Sequence, residues 1–149
     1  MNRETLSEKA ASLFLGGYLC SESILLTLSE HQGIKSKLIP RIATAFGAGF
    51  GRKGLICGCV TGALMVIGLK FGRDNNLQDK ERAFTLARKF CEMFKERFGS
   101  LLCLELIGCD LSTEKGRNYF IKNRIKEEKC VNFIRETVFI LLKLIETEA

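Results

Sequence analysis

The sequence predicts an all-α fold, a compact helical bundle of about six helices around a central, apolar, glycine-rich helix. Three observations carry this. Apolar residues recur at three- and four-residue spacing through nearly the whole chain. No run alternates apolar and polar residues around a tight turn, as a hairpin strand would. Glycines close several of the periodic runs, at the place just past a helix end that favours them. At 149 residues, 46% hydrophobic and 27% charged, the chain can bury one core without covalent staples. One domain over 1–149 is expected, with no internal repeat and, given a single proline, no disordered linker.

The first helix is predicted over 3–15, with Leu6, Ala10, Leu13 and Phe14 on one face, and is broken by Gly16-Gly17. A second covers 18–31, burying Leu19, Ile24, Leu25 and Leu28, with Gly33 as its stop. A short third helix starts near Leu38 and ends at Gly47. It carries Pro40 in its first turn, where a missing N–H costs little. Four glycines between Gly47 and Gly54 lead into a fourth helix over 55–71, closed by Gly72. Asp79 caps a long amphipathic helix over 79–97, with Ala83, Phe84, Ala87, Phe90, Cys91, Phe94 and Phe98 at core spacing. A short helix over 100–107 and a last one over 127–146 complete the set, and 112–126 reads as irregular and basic.

The fourth helix is apolar all round. Its uncharged run from Leu55 to Leu69 falls short of the about twenty residues a membrane span needs, so no transmembrane segment is expected. A buried central helix is the reading that remains. Gly58, Gly62 and Gly68 with Ala63 form a small-residue stripe that lets neighbouring helices approach, within the bundle or across a homodimer seam.

Seven cysteines stand out: Cys20, Cys57, Cys59, Cys91, Cys103, Cys109 and Cys130. An odd number cannot pair completely within one chain. The first residues, Met1-Asn2-Arg3-Glu4-Thr5, are not followed by the apolar run of a secretory signal, so a reducing, cytoplasmic setting is expected. Cys57 falls in the first turn of the fourth helix, where free backbone N–H groups favour a thiolate and Arg52 and Lys53 lie close in sequence. At the helical period Cys59 is turned about 200° away from Cys57, so it reads as packing. Cys20 and Cys130 also fall at helix starts. Cys103 lies on the short helix, Cys109 in the turn after it, and Cys91 on a core face.

Other chemistries fit less well. There is no paired CxxC zinc pattern, and the one histidine, His31, reads as a surface residue or cap. Gly49-Phe50-Gly51-Arg52-Lys53-Gly54 is formally GxGxxG, but a helix precedes it and no βαβ unit follows, so dinucleotide binding is not expected. The loop suits either an anion or a tight packing turn. The net charge of +6 is spread over several segments, which describes a solvated surface rather than a nucleic-acid face. Anion or nucleic-acid binding through Arg52, Lys53 and 115–129 is the weakest alternative.

Cys20, Phe46-Gly47-Ala48-Gly49-Phe50-Gly51-Arg52, Cys57-Gly58-Cys59-Val60-Thr61-Gly62-Ala63-Leu64-Met65, Phe98-Gly99-Ser100-Leu101-Leu102-Cys103 and Cys130 together resemble the C_GCAxxG_C_C family. This is a family of small proteins assigned a redox activity and named for its spaced cysteines. The resemblance runs from about residue 5 to 145, and Gly68-Leu69-Lys70-Phe71-Gly72 extends it. One departure is visible: Cys59 stands where the pattern has alanine. The resemblance implies a site of Cys20, Cys57, Cys103 and Cys130, with Cys109 as rival for the fourth place. A related module in a multihaem cytochrome context has a proposed iron–sulfur centre, so the same four cysteines are also implied as ligands of a cluster or other metal. Covalent haem is not expected without CxxCH.

The expected function is therefore redox chemistry with an unidentified redox partner, either thiol–disulfide exchange or iron–sulfur or other metal binding. Cys57 would be the attacking thiolate or central ligand. Cys20, Cys103 and Cys130 would be resolving thiols or remaining ligands. The alternative is a non-enzymatic helical interaction module whose cysteines only pack.

Overall fold

The structure, a computed structural model, describes residues 1–148, and its regular elements are all helical. Helix α1 (Arg3–Leu15) starts at Asn2, whose side chain accepts the Thr5 N–H at 2.8 Å, and buries Leu6, Ala10 and Phe14. Helix α2 (Cys20–His31) follows the double glycine. A 3₁₀ turn (Arg41–Phe46) stands where the third helix was expected, and α3 (Gly47–Phe50) is a single distorted turn. Helices α4 (Gly58–Phe71), α5 (Glu81–Phe98), α6 (Cys103–Ile107) and α7 (Glu114–Lys122) come next. A π-type turn (Lys126–Cys130) then runs into α8 (Val131–Glu148).

Three departures from expectation have identifiable structural causes. The fourth helix starts at Gly58 rather than near 55, because residues 55–57 are extended. There Ile56 pairs antiparallel with Leu102, Cys57 N–H donates to Leu101 C=O at 2.8 Å, and Cys103 N–H donates to Leu55 C=O at 2.6 Å. The same pairing delays α6 to Cys103. Residues 114–122 are helical rather than irregular: Thr113 Oγ1 accepts the Gly116 N–H at 2.9 Å and Glu114 complements the positive helix end. Their outer face is polar and exposed, so the apolar period that announces a helix is faint.

The core lies among α1, α2, α4, α5 and α8. Ile24, Leu25 and Leu28 meet Val60, Ala63, Val66 and Ile67, while Phe90, Phe94, Ile134, Val138 and Leu141 close the other side. Phe84 was expected inward but is 52% exposed; Leu86, Phe90 and Phe94 form the buried row of α5, and Phe84 lies about 200° round from Leu86. In α4 the buried residues are Gly58 to Ala63, Val66 and Ile67, and the C-terminal end is at the surface. Gly58 and Gly62 seat α2 of the same chain, so most of the small-residue stripe is already covered; Gly68 alone faces open space. Among the described residues no helix is long and apolar enough to cross a membrane.

Candidate functional site

The starts of three helices converge on one buried point. Helix α2 is fixed by Glu22, whose carboxylate accepts the Leu19 N–H at 2.9 Å and the Thr44 hydroxyl at 2.7 Å. Ser21 Oγ donates to Ala43 C=O at 2.8 Å, tying the same turn to the 3₁₀ segment. Cys20 is thereby held against α4. A Cβ at Gly58 would lie 3.0 Å from Cys20 Cβ and 2.9 Å from Ser21 N, so only glycine lets the two helices come this close. Cys20 sits over the residue between Cys57 and Cys59.

Cys103 is positioned from the other side. Gly49, at φ +66°, belongs to a left-handed stretch that includes Ala48, Phe50, Gly51 and Arg52. A Cβ on Gly49 would lie 2.8 Å from Cys103 Cβ and 2.6 Å from Leu55 N. The glycine-rich loop is thus a packing device under Cys103, with Arg52 and Lys53 turned to solvent.

Cys57 is not inside the first turn but caps it, with φ −55° and ψ 137°. Its carbonyl accepts the first helical hydrogen bonds, from Val60 N–H at 2.9 Å and Thr61 N–H at 3.2 Å. Contact with the Cys59 thiol holds the Cys57 thiol below its ordinary range against the cost of burial, and the Cys59 and Val60 N–H groups add to the effect. No side-chain cap hydrogen bond of ordinary geometry forms, so the amides act on the sulfur as oriented dipoles.

Cys59 packs in the core as expected, but it is not turned away from Cys57. It is fully buried, and its thiol lies close enough to those of Cys20 and Cys57 for both to affect its ionisation. Rotation by 200° presupposes helical geometry at both residues, and Cys57 is extended. Burial first, then these two contacts, push the Cys59 thiol well up. The signal available in the sequence was Cys57-Gly58 itself, since a residue before a helix-starting glycine can be a cap.

Cys103 and Cys130 border this trio. Burial pushes Cys103 up from the ordinary 9.0 to about 12, with charge on Cys57, Cys20 and Cys109 adding to it. Burial likewise drives Cys130 far upward, with Cys20, Cys57, Cys103 and Cys109 contributing. The expectation that Cys130 opens a helix is corrected: it ends the π-type turn. Ile125 and Cys130 are both buried, and five residues apart they would point about 140° apart on a regular α-helix; the wider turn swings both inward. Cys109 is half-buried at the edge of this group, its thiol raised by burial and lowered by Lys129. Cys91 is half-buried on α5, where Glu92 is the charged group acting on it. His31 is exposed in the last turn of α2.

A cavity of about 200 Å³ lies beside the cluster, and Cys20, Cys103 and Cys130 line it. The family model described as "Putative redox-active protein (C_GCAxxG_C_C)" matches residues 18–144, which takes in the whole cluster. The chain belongs to the C_GCAxxG_C_C family. No curated protein and no solved structure matches the chain significantly. In this C_GCAxxG_C_C protein the Cys59 thiol lies within interaction range of Cys57 and Cys20, and Cys20, Cys103 and Cys130 lie at the cavity. Among the described residues no three cysteine, histidine or carboxylate groups are gathered with the spacing of metal ligands.

Proposed function

We propose that this protein carries out two-electron thiol–disulfide chemistry at the cluster around Cys57. Cys57 supplies the thiolate, and Cys20, Cys59, Cys103 and Cys130 are the thiols available to close a disulfide. One observation carries the reading: the starts of α2, α4 and α6 and the π-type turn gather Cys20, Cys57, Cys59, Cys103 and Cys130 in one largely buried group. There Cys57 is lowered, chiefly through Cys59, while burial raises Cys59, Cys103 and Cys130. The thiolate is the nucleophile of exchange, and a protonated neighbour can protonate the departing sulfur. The reaction balances as protein dithiol plus R–S–S–R giving protein disulfide plus two R–SH: the protein loses two electrons and two protons, and the substrate gains them. A reducing compartment such as the cytoplasm, with a dithiol partner restoring the thiols, suits such a cycle.

Titration of thiolate ultraviolet absorbance tests the reading. One thiolate should appear below the ordinary value of 9.0 in the native protein and be missing in Cys57→Ser. Identical curves for the two proteins would contradict it.

A further inference from the structure

The cavity borders the cluster without reaching all of it. Cys20, Cys103 and Cys130 line it together with Leu19, Leu111 and Phe120, whereas Cys57 and Cys59 do not. Cys20 is therefore the one thiol that both faces the cavity and packs on Gly58 at the start of α4, within interaction range of Cys59. It is also the most accessible of the trio, half-buried where Cys57 and Cys59 are buried.

The cavity walls are apolar. One charged side chain, Lys126, reaches them, and its ammonium is already placed over the Phe14 ring, 4.9 Å from the centroid. Apart from Lys126, the Tyr18 hydroxyl and the thiols, no lining side chain can hydrogen-bond, so polar substrate groups would mostly enter unpaired and bind more weakly. A disulfide carries no donor and needs no acceptor. The volume of about 200 Å³ lies below the roughly 300–1,000 Å³ of sites for drug-sized ligands, which rules out a peptide-sized disulfide lying inside.

We propose that this cavity is the substrate site, that it takes a small apolar disulfide, and that Cys20 and Cys59 reduce it. The proposal rests on the thiol–disulfide reading of the same cluster and adds a substrate class, an entry point and a resolving thiol. Because Cys57 does not reach the cavity, its thiolate acts here as the base that activates Cys20 rather than as the attacking sulfur. Cys20 Sγ attacks one substrate sulfur as its proton passes through Cys59 to the Cys57 thiolate. The S–S bond breaks, and the first R–S⁻ leaves and takes a proton from solvent. Cys59 Sγ then attacks Cys20 in the mixed disulfide, and the second R–S⁻ takes the Cys59 proton. The products are two R–SH and a Cys20–Cys59 disulfide, and Cys57 returns its proton to solvent. Cys59 is thus a working thiol of this chain at a place where the family pattern has alanine.

The test is a single turnover of the full, pre-reduced protein with three disulfides of similar length: dipropyl disulfide, 2-hydroxyethyl disulfide and cystamine. Each rate is divided by that reagent's rate with N-acetylcysteine, and diamide serves as an oxidant with no bulky apolar arms. Dipropyl disulfide should react about tenfold or more faster than cystamine after this correction, as expected from burial of its alkyl groups. Phe120→Asp should erase the preference and Phe120→Leu keep it, with far-ultraviolet circular dichroism confirming that both fold. In Cys59→Ala, mass spectrometry should find a propylthio adduct held on Cys20. Equal corrected rates for the three reagents, or full release of both propanethiols from Cys59→Ala, would overturn the proposal even where diamide still closes a disulfide. If diamide closes none either, the thiol–disulfide reading fails with it.

Discussion

At Cys57, with ψ at 137°, the chain passes from an extended segment into α4. Because the next residue is glycine and the one after is Cys59, two sulfurs meet that regular helical geometry would separate. Their ionisation is then coupled: contact with Cys59 lowers the Cys57 thiol, while burial and the neighbouring thiols of Cys20 and Cys57 raise Cys59. Cys103 gives a stability consequence of the same physics. Its folded value, raised to about 12, lies above the 9.0 of an unconstrained thiol. Rising pH therefore takes the proton from the unfolded chain first. The stability contributed by the neutral, buried Cys103 is complete below pH 9 and is lost as pH climbs towards 12. The urea midpoint should fall more steeply above pH 9 in the native protein than in Cys103→Ala; parallel slopes would contradict this.

At the scale of elements, the crossing of α2 and α4 decides whether Cys20 reaches Cys59. Gly58→Ala places a methyl 3.0 Å from Cys20 Cβ and 2.9 Å from backbone, so the helices must part. We expect a loss of about 1–3 kcal/mol on chemical denaturation, the usual cost of overpacking, and slower disulfide closure between Cys20 and Cys59. Unchanged stability and closure rate would show that the crossing does not control the contact. Much of this scale was legible in sequence. The first helix, expected over 3–15, is Arg3–Leu15, since its apolar period and flanking Asn2 and glycines agree. α7 was not legible, because Glu114–Lys122 exposes a polar face and has little apolar period to read. Two features were hidden for a deeper reason. The extended pair around Ile56 and Leu102 and the π-type turn before Cys130 depend on contacts between distant segments, which a local period cannot encode.

For the whole molecule, the fold gathers sulfurs that lie far apart in the chain. The start of α2 brings Cys20, the start of α4 brings Cys57 and Cys59, the start of α6 brings Cys103, and the π-type turn brings Cys130. Membership of the C_GCAxxG_C_C family was readable from the spacing of these residues, and the match over 18–144 agrees with it. Cys59 reads as packing in the sequence and is fully buried in the core; its nearness to Cys57 emerges only with the cap geometry of Cys57. Cys91 lies outside the group, and Cys109 at its edge.

The central claim is that Cys20, Cys57 and Cys59 act as one redox unit. The most direct measurement is anaerobic oxidation of the reduced protein with one two-electron equivalent of diamide, followed by alkylation and peptide mapping. The account predicts one intrachain disulfide joining two of these three residues, leaving five of the seven thiols. Seven surviving thiols, or oxidation confined to Cys91 or Cys109, would contradict it.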